Sequence, residues 1–268
     1  LDPSSTIVES NMVHIGGGVY RGTIPGQGHG QLVAFHVRAR DAYSPMVTNN
    51  FPSDAPIREC LVRLGDVDPV GDLGAYRFWM TKANIDEWKA RERHSNEYLD
   101  TTFVNGHRII YNAGIRWRGS PWIRIGMPDP EIYEWRSAFR VKFPADDMFL
   151  GMDELNLDSL ERERDTTLQR ERMCYQIAEQ LGLPASYQRY IFVCLNGIQY
   201  PYIYADGHHI ERDYFRKWFP DQDDGELFKV DDWVEYRSFT DNFDNGGFDV
   251  RNATLEMFTT TGGEKKKA

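Results

Sequence analysis

The stretch AGIRWRGSPW, residues 113–122, sets Arg116 and Arg118 two apart and follows them with Gly119 and Ser120. Side chains two apart on a strand share one face, so both guanidiniums would point the same way. A glycine and a hydroxyl next in line could aim backbone N–H groups and an Oγ at a phosphate. The same residues also make an ordinary hairpin with charged edges, and the stretch alone leaves both readings open. A second strand, SAFRVKFP, alternates Phe139, Val141 and Phe143 with Arg140 and Lys142, which puts two more cations on one face.

A helix is expected from about Asp165 to Leu181, ended by Gly182 and Pro184. Placed at 100° intervals, Cys174, Ile177, Ala178 and Leu181 form one apolar arc, with Arg170 inside it and Glu171 at its edge. An arginine in such an arc must meet an anion or reach out past its neighbours.

The elements that must position these residues follow from pattern. Residues 1–75 read as β, with period-two alternation in QLVAFHVRARDA and Gly/Pro punctuation in IPGQGHG and FPSDAPI. They are expected to be the last strands of a β-sandwich. TKANIDEWKARERHSN starts at a good N-cap, Thr81, and spaces Ile85 and Trp88 three apart among charges, as an exposed junction helix would. Asn105-Gly106 and Asn196-Gly197 are hairpin turn signals, and RDYFRKWFP and GELFKV add a short helix and a strand. The result is an α+β layer design.

Composition narrows the function. Lys and Arg total 31 against 41 Asp and Glu, a net charge of -10, which argues against duplex nucleic acid as a partner. No apolar run is long enough for a transmembrane segment. The three cysteines are far apart and form no CxxC, and Cys174 and Cys194 read as plain buried thiols. ADGHHIERD (206–213 within it) has metal-ligand residue types, but adjacent histidines seldom point the same way, so a polar connector and no metal site is expected. Both ends, LDPSSTIVES and TTTGGEKKKA, read as cuts from a longer chain.

Read in order, the words GIRWRGSPW, RSAFRVKF, LNLDSLERERDTTLQRERMCYQIAEQLGLPA, YIFVCLNG and GELFK resemble the CotH (spore-coat protein H-like) family of atypical protein kinases. The resemblance covers about 105–230. Residues 1–75 look like the Ig-like or fibronectin-like sandwich that can precede such a domain. The organisation implied is a partial β-sandwich over 1–75, a helical junction over 76–104, and the N-terminal portion of a CotH-kinase-like domain over 105–268.

The implied fold is a kinase-like small lobe, an antiparallel sheet plus a packed helix. The implied function of the intact protein is ATP-dependent phosphoryl transfer to a protein acceptor, with ATP and Mg²⁺ as cofactors. Lys142 with Arg140 would be the strand-borne cations on the nucleotide, and Arg170 and Glu171 the helix pair. Arg116, Arg118, Gly119 and Ser120 would meet phosphate from the loop, and Lys229 would sit near the passage to the large lobe. Ser120-Pro121 stands where the family has Asn-Ser, and Asp206 matches a family acid only loosely. The family's late catalytic and metal-binding Asp stretches are absent and would lie beyond Ala268. The second reading is therefore a non-catalytic surface or assembly module on a degenerate kinase fold. Either would belong to a secreted or surface bacterial protein with adjoining domains.

Overall fold

Runs of alternating aromatic and β-branched residues dominate the middle of the chain, and their buried faces converge on one interior. The computed structural model describes residues 7–43, 46–66, 69–92, 95–118, 138–159, 165–208, 212–221, 227–231, 256–261 and 264–267. Before the core come β1 (Val13–Gly16), β2 (Val19–Arg21), β3 (Leu32–Phe35), β4 (Val37–Arg40), β5 (Thr48–Phe51) and β6 (Cys60–Arg63). The core region holds β7 (Gly74–Trp79), α1 (Lys82–Ala90), β8 (Leu99–Asn105), β9 (Arg108–Arg118), β10 (Ala138–Lys142) and β11 (Glu154–Ser159). It continues with α2 (Arg170–Gln180), β12 (Gln188–Leu195), β13 (Ile198–Gln199), β14 (Tyr204–His208) and α3 (Arg212–Trp218). A separate three-stranded sheet is made by β15 (Leu227–Asp231), β16 (Glu256–Thr261) and β17 (Glu264–Lys267).

Strands β12, β14, β11, β10, β9, β8 and β7 pair in that order, and β7 then pairs with β12 in parallel, from Ile191↔Gly74 to Leu195↔Phe78. The ring is closed, so these strands leave no open sheet edge. This corrects the expected α+β kinase-like small lobe: the chain is mostly β, around a closed seven-stranded barrel. The physical reason is that both faces of an open sheet would need cover, whereas closure lets one set of large side chains fill a single interior. Phe78, Phe103, Phe139, Trp117 and Tyr204 do so, each nearly or fully buried. Each such side chain contributes about 1.5–3 kcal/mol by leaving water.

Strands β1 to β6 occupy the residues where the last strands of a β-sandwich were expected. The first six strands form three separate two-stranded pairs, β1–β2, β3–β6 and β4–β5. One of them seals the barrel from outside: Leu32, Ala34 and Val62 pack on Trp79, Val104 and Ile109.

Helix α1 is capped as its sequence demands, with the Asn84 N–H donating to Thr81 Oγ1 at 3.1 Å. It is amphipathic, as its spacing predicts, with Lys82, Asp86 and Lys89 exposed and Ile85 packed toward the core. Trp88 is 1% exposed and packs at a tilt against Trp117 and edge-to-face against Phe139, both in the barrel core. Because α1 links the neighbouring strands β7 and β8, it stands over one end of the ring.

Helix α2 differs more. Its expected apolar arc faces water: Cys174 is exposed, Ile177 is 52% exposed and Leu181 70%. It meets the barrel instead through Glu171, Arg172 and the Leu168 carbonyl, because the strand it rests on presents Gln188 and Tyr190. Its start lies five residues later than expected. The Asp165 carboxylate accepts from the Thr167 and Arg170 N–H groups, which holds Asp165 ahead of the first turn. Its end matches expectation, with Gly182 at φ 71 and the Leu183 N–H donating to Ala178 O.

The cysteines divide accordingly. Burial pushes the thiols of Cys60 and Cys194 up to about 11, while Cys174, expected to be buried, is exposed. Ellman's reagent at about pH 8 should therefore label Cys174 rapidly and the other two only after denaturant is added. Rapid release of all three thiols from the native chain would contradict this burial.

Candidate functional site on the outer barrel face

A bulge decides which way the arginines of β9 point. Asn112 has φ 58, and the β8–β9 register shifts between Thr101 and Phe103. One inserted residue reverses the side-chain alternation. Ile110 is buried in the core before the bulge; Ala113, Ile115 and Trp117 are buried in it after. Unbroken alternation from Ile110 would have driven Arg116 and Arg118 into the barrel. With the bulge, they lie on its outer face.

The register carries that face across the sheet. Arg116 pairs with Arg140, Arg140 with Asn156, Asn156 with Gly207, and Gly207 with Gln188. The Gln188 amide then donates to the Glu171 carboxylate at 2.9 Å. One outward row thus runs from two strand arginines to the helix acid.

At one end of the row, Tyr98 lies across Gly114. A Cβ on Gly114 would stand 2.9 Å from Tyr98 Cβ, so only glycine lets the ring settle there. The ring is flanked by Arg116, with its guanidinium carbon 5.2 Å from the centroid, and by Lys142 Nζ at 5.9 Å. The Tyr98 hydroxyl donates to Glu154 at 2.8 Å, and burial beside that carboxylate pushes the phenol up to about 12. Arg140 donates to Asn156 at 3.2 Å and lies 3.8 Å from Glu154. Three cations from two strands therefore gather around one tyrosine and one carboxylate.

Further along, Arg118 is paired with Asp158. Burial raises the Asp158 carboxyl, opposed by Arg118 and reinforced by Glu171. Glu171 also accepts from the Tyr175 hydroxyl at 2.7 Å. Glu171 of the expected helix pair meets Gln188 and Tyr175, while Arg140 meets Glu154. Arg170 points to solvent with a 77% exposed side chain, 3.8 Å from Asp165.

Gly119 and Ser120 lie outside the described residues. Lys229 is in β15, paired with Phe258 in the separate sheet. Tyr98, Glu154 and Asn156 were not foreseen. Gly114, a small residue inside an alternating strand, was the available signal that something must lie across it.

Asp206 belongs to the other side of the wall. It is fully buried inside the barrel, accepting from Tyr76 and twice from Arg189, at 3.1 and 2.5 Å. His208 and Asp206 do not form a metal site, and no group of His, Cys, Asp or Glu among the described residues is placed to hold a metal ion. No helix among them is long and apolar enough to cross a membrane.

The closed barrel thus carries strand cations on its outer face, with a helix acid at the end of the same row. A family model described as CotH kinase protein matches residues 115–266, more than half of the chain. The chain belongs to the CotH kinase protein family. No curated protein matches it.

Proposed function

We propose that this domain holds the phosphates of ATP on the outer face built by β9 and β10, as part of a protein kinase that phosphorylates a protein hydroxyl. The observation that carries this reading is the cluster of Arg116, Arg140 and Lys142 around Tyr98 and Glu154, with Asp158 also within electrostatic reach of Arg140. On a chain of net charge -10, such an excess of positive charge is what a polyphosphate needs.

Arg140 and Arg116 would take the phosphate oxygens by charge-assisted hydrogen bonds. Lys142 would add a mobile point charge, and Asn156 would hold Arg140 in place. Magnesium, when bound, neutralises developing charge on the transferred group. The described residues offer no cluster of carboxylates for it, so the protein groups named here act on the phosphates alone. Its setting would be the exterior of a bacterial cell, in a secreted or surface protein with adjoining domains.

Titration calorimetry of the chain with Mg-ATP tests this. Arg140→Met should weaken nucleotide binding by at least about tenfold, the cost of one charge-assisted contact. Equal affinity in Arg140→Met and the parent chain would remove the nucleotide from this face.

A second reading, a binding module on a kinase-related fold, draws on the pairing of Arg118 with Asp158 and of Arg140 with Glu154. Cations already committed to internal partners would then serve the wall of the barrel. Absence of nucleotide binding together with a stability loss in Arg140→Met would favour it.

A further inference from the structure

The chain just past α1 carries a second feature that the outer face does not use. All three guanidinium nitrogens of Arg91 are shielded from water and have no hydrogen-bond partner among the described residues. Its planar face is covered by the Trp117 ring, 5.8 Å from the guanidinium carbon to the centroid. Arg116, only 8% exposed, curls back to donate to the Trp117 carbonyl at 3.0 Å and to Asn96 at 2.9 Å, and its Nε is also unpartnered. Arg91 thus lies on the Trp117 ring and Arg116 at the Trp117 carbonyl, each with guanidinium N–H groups that have no partner among the described residues.

An arginine cannot shed its proton to escape burial. A buried charge without a partner costs several kcal/mol, and a second cation nearby makes the cost larger. The carboxylates closest in effect, Glu87 and Glu97, are both exposed, so water screens them. With its face covered, Arg91 can meet a ligand only through its N–H edges, which are closed to water as they stand; an oxyanion with two oxygens is what such an edge grips.

We propose that Arg91 and Arg116 form a binding site for a phosphate-sized oxyanion beneath α1. Arg116 is shared with the nucleotide face, yet the site stands without that reading, because its ligand is the oxyanion itself. The anion is either free phosphate or a phosphate group of a bound nucleotide.

Inorganic phosphate is the probe, titrated calorimetrically into the full chain and into Arg91→Met. The parent should bind phosphate, and Arg91→Met should bind it at least about tenfold more weakly. In chloride alone, Arg91→Met should unfold at the same temperature or higher, since an unpaired buried charge has gone. Phosphate also stabilises proteins by exclusion from their surface, and that part must persist in the variant.

Should Arg91→Met fail to fold, Arg91→Lys keeps the charge while losing the planar fork, and weaker phosphate binding by it carries the same conclusion. If Mg-ATP loses affinity in Arg91→Met along with phosphate, the anion is the nucleotide's. If phosphate alone does, the site is separate. A parent chain that ignores phosphate, or an Arg91→Met that binds it as well as the parent, overturns the proposal. Neither result touches the Arg140 test of the nucleotide face.

Discussion

Replacing Trp88 with alanine should lower the unfolding free energy by about 3–5 kcal/mol, the range for removing a large aromatic side chain from a packed core. The expectation is strong because Trp88 is 1% exposed and touches both Trp117 and Phe139. The rest of α1 predicts the opposite behaviour. Lys82, Asp86 and Lys89 are exposed, and their substitution should change stability by no more than about 0.5 kcal/mol. Urea denaturation of the two sets measures the contrast. A loss below about 1 kcal/mol for Trp88→Ala would show that Trp88 has no such seat in the core. The same helix also places Arg91, so its seating bears on the oxyanion site.

Asp206→Ala should cost about 1–3 kcal/mol, less than the rupture of a fully buried ion pair. The reason lies in the partners. Arg189 keeps 45% of its side chain exposed, so its charge can return to water when the acid is removed. Tyr76 cannot: it is 3% exposed, and its hydroxyl donates to Asp206. The cost is thus that of a Tyr76 O–H left without an acceptor, though its oxygen still accepts from Arg189 at 2.9 Å, and of the space left behind. Tyr76→Phe should be milder, at about 1 kcal/mol or less, since both Asp206 oxygens keep their Arg189 bonds. In the double variant the orphan disappears, so the two losses should sum to more than the combined effect. Strict additivity would place the energetics elsewhere than in this triad.

Much of the local structure was legible because local chemistry specifies it. Asn196-Gly197 takes φ values of 47 and 82 and closes the β12–β13 hairpin, since both residues tolerate the left-handed region. The Asn105-Gly106 signal marked the right hairpin one residue early: Asn105 still pairs with Arg108, and Gly106 alone has positive φ. Thr81 and Gly182 bound their helices by side-chain and backbone capping that needs no distant partner. The ordered words around AGIRWRGSPW, FRVKF and LQRERM were enough to place the chain among CotH kinase proteins.

The sequence by itself thus determined turns, caps, the alternation of β10 and the family. Tertiary structure alone decided the rest. The parallel pairing of β7 with β12 joins residues more than a hundred positions apart, and no local pattern encodes a ring closed that way. Closure made the interior, gave Trp88 of α1 its seat, and left α2 resting on polar strand residues with its aliphatic side to water. The bulge at Asn112 shows the division on one strand. Its composition announced two cations on one face, but only the inserted residue, fitted against β8, set that face to the outside.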